Sequence, residues 1–287
     1  MRRIIKKKID VTEYNYTSNK ITEDFNGFKL AVISDLHTNE LGLNSCNLIS
    51  KMNDVNPDAI IIAGDMLSDN AKRMNVTYKL IKQLAKSYEI YYACGNHELK
   101  LGTNPRSEQL YKEYRKKFRK AGVHYLNNKT EYICCGSGKI HIAGLNIARK
   151  YYTKVWNKRQ TIPDGYIESL VGKPGGSDEK NNNILSILIA HNPIYFESYA
   201  SWGADLVFSG HVHGGMMVLP VIGGVISSSF ELFPKYDFGE YEIKDEISGH
   251  KSTMYLTRGL GSHTIPIRIN NNPEIMVVTL NSCKKNF

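Results

Sequence analysis

The chain has 287 residues and a formal net charge of +9, a length that one large α/β domain or two small ones can fill. Apolar residues make up 41%, ordinary for a globular protein with a sizeable core, and no run approaches the length of a membrane span. Five cysteines without a Cys-x-x-Cys pair exclude a disulfide framework and read as reduced, mostly buried thiols in a reducing compartment. The positive charge favours an anionic partner such as phosphate, nucleic acid or a membrane surface, against the plainer reading of a basic solvated surface.

The first residues, "MRRIIKKKIDVTEYNYT", carry charge but only Ile4 and Ile5 before the next lysines, so they lack the apolar stretch of a secretory signal. The expected location is cytoplasmic, with peripheral membrane contact open. Residues 1–26 read as a basic extension and 27–287 as a single domain. "FKLAVISDLH" is apolar up to Ser34 and then polar; "PDAIIIAGDMLSD" changes at Gly64 and "EIYYACGNHE" at Gly95. Helical patterns lie between them, from about Asn44 to Val55 and from about Ala71 to Ser87. A third, "NPRSEQLYKEYRKKFRKAG", has Asn104 as a cap, Pro105 at the first helical position and Gly122 as a stop. Its Lys112, Arg115, Lys116, Arg119 and Lys120 form a solvated face rather than a nucleic-acid stripe. Strand–helix alternation of this kind predicts a mainly parallel sheet.

"TEYICCGSGKIHIAGL" then reads as a hairpin around Gly136-Ser137-Gly138. A polar loop insertion spans about 149–183, and long loops are often functional. It carries Arg149, Lys150, Lys154, Lys158 and Arg159 interleaved with Tyr151, Tyr152 and Trp156. Arg149 and Arg159, with Arg258 after the strand "MYLT" and with Arg268, are the candidates for reading the substrate. "ILSILIAHNP" ends at His191 and "ADLVFSGHVH" at His211. "KSTMYLTRG" and "PEIMVVTLN" supply two more strands, and a second sheet packed on the first accommodates them.

Ligands of open α/β sheets bind beyond the carboxyl ends of the strands. This chain places Asp35, His37, Asp65, Asp69, Asn96, His97, His191, His211 and His213 there. Each histidine alone is more simply a structural one. Five of the nine at strand ends, beside Asp and Asn, point to a metal site. Carboxylate and imidazole without thiolate suit Mn²⁺, Fe²⁺/Fe³⁺ or Zn²⁺. One ion needs three or four such groups, so this many implies two divalent ions, and the two histidines of "GHVHGG" can each face a different one.

In order, "DLH", "GDMLSD", "GNHE", "AHNP" and "GHVHGG" resemble the motifs of calcineurin-like metallophosphoesterases, over about two thirds of the chain. The tail "LTRGLGSHTIPIRINNNPEIMVVTL" is similar to that of a bacterial branch whose members are often membrane- or envelope-associated. The resemblance implies a four-layer α/β/β/α sandwich of two mixed sheets flanked by helices. It assigns Asp35, His37 and His213 to a first metal, Asp65 to a bridge, and Asn96, His191 and His211 to a second metal. His97 matches the family's catalytic histidine. The implied reaction is hydrolysis of a phosphoester by in-line attack of a hydroxide shared by the two ions. Where relatives carry a second aspartate that orients the histidine, this chain has Ser68, and Asp69 one residue on takes that role. Val212 and Met216 replace the usual Thr and Gln near the pocket.

The implied substrate is a phosphorylated small molecule or lipid: a monoester, diester or pyrophosphate. The alternatives are a nuclease or nucleotide phosphodiesterase, and an enzyme for lipid-linked or nucleotide-sugar pyrophosphates. Nucleic acid is the less favoured partner, because the basic helix face reads as solvated rather than as a stripe for single strands. A non-catalytic scaffold is disfavoured because all seven ligands are present.

Overall fold

The computed structural model describes residues 8–37, 45–67, 71–152, 160–176, 183–215, 217–219, 223–226, 234–245, 249–261 and 268–283. The strands are β1 (Asp10–Ser18), β2 (Phe28–Ile33), β3 (Ala59–Ala63), β4 (Glu89–Ala93), β5 (Val123–Leu126), β6 (Lys129–Cys135) and β7 (Gly138–Leu145). They continue as β8 (Ser186–Ala190), β9 (Leu206–Ser209), β10 (Met217–Leu219), β11 (Gly223–Ile226), β12 (Gly239–Lys244), β13 (Lys251–Leu256) and β14 (Glu274–Ser282). The helices are α1 (Cys46–Val55), α2 (Ala71–Leu84), α3 (Asn96–Thr103), α4 (Glu108–Lys120), α5 (Tyr166–Val171) and α6 (Phe196–Trp202). One six-stranded sheet has the order β1-β14-β2-β3-β4-β5 and the other β12-β13-β9-β8-β7-β6. Both are mixed: β2 through β5 run parallel, as do β7, β8, β9 and β13, with antiparallel strands outside them.

The apolar runs explain the layering. Side chains alternate across a strand, so a strand apolar at every position needs cover on both faces. Leu30, Val32, Ile61 and Tyr91 of the first sheet meet Ile140, Ile187, Ile189 and Phe208 of the second in a buried middle layer. The alternate residues Ala31, Ile33, Ile60, Ile62 and Tyr92 face outward onto Met52 of α1, Ile81 of α2 and Phe118 of α4. On the far side Leu188, Val207 and Met254 pack against Ile167 of α5 and Phe196 and Tyr199 of α6. The result is the expected α/β/β/α sandwich. Truncating one of these isoleucines to alanine costs about 2–5 kcal/mol in a typical core.

Local structure departs from the sequence expectations in four places. Part of the stretch read as an extension, 10–18, is the edge strand β1, paired in parallel with β14. Asn104 closes α3, its N–H donating to Lys100 O, rather than opening α4, which begins after Ser107. The residue before a proline is held extended, so the chain breaks there; Asn104 sits at φ −92°, ψ 118°. The polar insertion is not all loop: Arg149–Tyr151 is a 3₁₀ turn, and α5 buries Ile167 and Val171. All five cysteines are free, as expected, but only Cys94 is buried, and Cys46, Cys134 and Cys283 are exposed.

Candidate metal centre

The carboxyl ends of β2, β3 and β4 in one sheet and of β8 and β9 in the other open onto the same place. His191, just after β8, donates from Nδ1 to the carbonyl of Ala63 at the end of β3, at 2.6 Å. That bond crosses between the sheets and leaves Nε2 facing Asp65 Oδ2 at 3.1 Å. His213 does the same from the other loop: Nδ1 donates to Gly261 O at 3.1 Å, and Nε2 lies 3.5 Å from Asp35 Oδ1. The loops pack too closely for side chains at two glycines. A Cβ at Gly95 would overlap Asp65 Oδ1, and one at Gly210 would overlap Asp35 Oδ2.

Five of the proposed ligands adopt the left-handed region: Asp35 (φ 53°), His37 (φ 46°), Asp65 (φ 53°), His211 (φ 76°) and His213 (φ 56°). Such backbone costs of order 1–3 kcal/mol per residue and clusters at functional sites. It also overrides strand alternation, which is how the two histidines of "HVH" reach different neighbours. Ligand atoms gather in three groups, each within 4.8 Å: Asp35, His37 and His213; Asp65, His191 and His211; and His37, Asp65 and His97.

The donor set fits divalent cations. Asp35 Oδ1 is buried without a hydrogen-bond partner, yet imidazole nitrogens of His213, His37 and His191 stand 3.5, 3.8 and 3.8 Å from it. Nε2 of His37 and Nε2 of His213 face each other at 3.1 Å. The side-chain oxygen of Asn96 is likewise buried and unpartnered. Lone pairs and carboxylate oxygens converging in a buried site are the surroundings of a cation.

Electrostatics say the same. Burial opposes charge on Asp35 and Asp65, but the surrounding imidazoles hold both carboxyls below their ordinary range. Burial pushes His37 down to about 3. Burial also works against a charged His191, yet Asp65 and Asp35 push it up to about 10. A pKa raised on folding stabilises below the unfolded value and loses that stability as pH rises through the folded one. In the metal-free protein the His191 contribution is therefore present below about 6.5 and lost toward about 10. A bound metal requires neutral imidazole, so the metal-loaded protein has no such loss. The expected result is a melting temperature that falls between pH 7 and 10 in metal-free protein, and falls less when metal is bound. Parallel melts at fixed ionic strength check it; identical profiles would remove His191 as a charged partner of the two carboxylates.

The structure brings together Asp35, His37, Asp65, His97, His191, His211 and His213, and Asn96 stands beside His97 at the start of α3. Asp69 and Arg159 lie outside the described residues. Arg149 is exposed on the 3₁₀ turn. Arg258 is engaged within the protein: Nε donates to Glu274 Oε1 at 3.1 Å, and its guanidinium lies over Phe238. Arg268 donates to backbone carbonyls of Arg258, Gly261 and Asn272.

Two further residues belong to the site. Glu98, fully buried, accepts from the backbone N–H of Asp65, Leu67 and Gly95 at 2.9, 2.9 and 3.0 Å, and from Tyr92 Oη at 2.7 Å. It is the brace of the Asp65 turn, and its place in "GNHE" is its sequence signal. Tyr152 places its ring 5.5 Å from that of His211 and 6.4 Å from that of His191. It counted only as one aromatic among several in the insertion.

The chain is similar to known proteins over most of its length. The family described as calcineurin-like phosphoesterase matches residues 28–215. The chain is 26% identical over 282 residues to metallophosphoesterase YkuE of Bacillus subtilis, covering 96% of this chain and 86% of that one. It is 26% identical over 257 residues to phosphodiesterase YaeI of Escherichia coli, covering 88% and 82%. Among solved structures, phosphopantetheinyl hydrolase from Mycobacterium tuberculosis aligns with a TM-score of 0.42 and 12% identity, covering 81% of this chain and 90% of that one. No helix among the described residues is long and apolar enough to cross a membrane. With that family matched over residues 28–215, the chain belongs to the calcineurin-like phosphoesterase family.

Proposed function

We propose that this chain hydrolyses phosphoesters with a pair of divalent ions, one held by Asp35, His37 and His213, the other by Asn96, His191 and His211, with Asp65 shared. The observation that carries the reading is the buried, unpartnered Asp35 Oδ1 with three imidazoles around it, next to a second group of the same composition on Asp65. When bound, such ions supply hydroxide at neutral pH and positive charge for the phosphoryl oxygens.

The protein's own residues do the rest. Ala63 O and Gly261 O fix the tautomers of His191 and His213, leaving each Nε2 lone pair inward. Asp65 Oδ1 accepts the backbone N–H of His97 at 2.8 Å, which ties the shared carboxylate to the start of α3. His97 has its imidazole at the mouth of the cluster, 4.6 Å between ring centroids from His37, and donates the proton that the leaving oxygen needs. The substrate is read as a phosphorylated small molecule or lipid, and the likeness to a protein named a phosphodiesterase supports the diester. The test is elemental analysis with a screen of aryl monoesters, diesters and pyrophosphates under Mn²⁺, Fe²⁺ and Zn²⁺. Two ions per chain and chelator-sensitive turnover are expected. Absence of turnover in protein carrying both ions would leave a scaffold, and salt-dependent DNA or RNA cleavage would make it a nuclease.

A further inference from the structure

We infer that the segments 257–261 and 268–274 form a clamp serving one ion group only, that of Asp35, His37 and His213, with Arg268 and Asn271 as its positioning residues. The inference rests on the two-ion reading. The first segment is stitched to the backbone that carries Asp35: Leu260 N–H donates to Ser34 O at 2.9 Å, and Gly261 N–H to Asp35 O at 2.7 Å. The carbonyl of Gly261 then accepts His213 Nδ1–H at 3.1 Å. One residue, Gly261, thus bonds two members of the same group, through its N–H to Asp35 and through its carbonyl to His213. Arg268 donates to that same carbonyl and to Arg258 O, the latter at 2.8 Å. Asn271, only 2% exposed, donates to His213 O at 2.7 Å and Gly215 O at 2.6 Å. Behind them the buried Glu274 accepts from Arg258 N–H at 2.9 Å and Thr257 Oγ1 at 3.0 Å.

The other group has separate supports. His191 is fixed by Ala63 O and the Asp65 turn by Glu98, whereas Gly261, Arg268 and Asn271 bond to Asp35, His213, Gly215 and Arg258. His213 and Gly214 both sit at positive φ, 56° and 65°, a turn that holds only when its surroundings tie it down. Outer partners of a metal-ligating histidine are typically worth 10–100-fold in metal affinity. The charge of Arg268 works the other way: a guanidinium near a cation weakens binding. Removing Arg268 therefore weakens the ion if its role is positioning and strengthens it if its role is charge, so the direction decides.

The experiment titrates metal-free wild type, Arg268→Met, Arg268→Lys and Asn271→Ala with Co²⁺, by calorimetry and by visible absorption, with circular dichroism to confirm the fold. In Arg268→Met and Asn271→Ala, one binding class is expected to stay at wild-type affinity and the other to weaken about 10–100-fold. Arg268→Lys, which keeps reach and donors, is expected to restore most of the lost affinity. Should one variant fail to fold, the other reads the same class. Equal weakening of both classes, unchanged binding, or tighter binding in Arg268→Met would overturn the clamp. A wild type that takes up one ion would sink the two-ion reading itself, visible before any variant is examined.

Discussion

Asp65→Asn is expected to abolish turnover, by at least about 10³-fold, while leaving the fold intact. Metal coordination lowers the pKa of water from 15.7 to about 7, so a site that loses a shared ligand forfeits orders of magnitude in available hydroxide. The fold has reasons to survive. Asp65 sits at φ 53°, a conformation asparagine tolerates better than other residues. The amide oxygen still accepts His97 N–H, as Oδ1 does at 2.8 Å. The amide nitrogen can donate to a neutral His191 Nε2, now 3.1 Å from Oδ2. Glu98 holds the turn through backbone groups that the substitution leaves untouched. Activity and circular dichroism on the purified variant are the readout. A folded Asp65→Asn protein with near-wild-type activity would remove the shared carboxylate and the two-ion reading with it.

Most of the candidate cluster was legible because buried parallel strands are apolar at every position and change abruptly where they leave the sheets. Ile60 to Ala63 followed by Gly64 and Asp65 shows that transition in six residues. What the sequence hid depends on contacts between distant segments. Glu98 looks like one more surface carboxylate of a helix until Asp65, Leu67 and Gly95 are seen to donate to it. Tyr152 stands in a polar insertion whose helical periodicity is too short to read, yet it packs on His211. The first half of the strand Asp10–Ser18 carries no apolar alternation, because Val11 points outward and Asp10 and Thr12 inward, toward Asn272, Arg258 and Glu274; only Tyr14 and Tyr16 pack on the core. Arg258 and Arg268 follow or precede strands, as substrate-reading residues can, but their partners are Glu274 and backbone carbonyls. Position along the chain could not reveal those partners.

His97→Ala is expected to keep both ions and lose turnover, by about 10²–10⁴-fold on substrates with poor leaving groups, the usual range for general-acid help. Substrates such as nitrophenyl esters are expected to lose much less, because their leaving oxygen departs without a proton. The separation is possible because His97 contributes two different things. Its backbone N–H binds Asp65 Oδ1, and alanine keeps that bond. Its imidazole is only half-buried and packs T-shaped against that of His37, so truncation opens space at the mouth of the site rather than in the core. Asn96, one residue earlier, has a buried, unpartnered side-chain oxygen, so the two adjacent residues are expected to hold a metal and a proton separately. The geometry also defines the opposing outcome, since His97 lies within ligand distance of His37 and Asp65. If metal content falls in His97→Ala, the residue is a ligand. If the loss is equal for aryl and alkyl leaving groups, it is not the acid. Retained metal together with a loss that grows with leaving-group pKa is the pattern that a proton donor at this position must give.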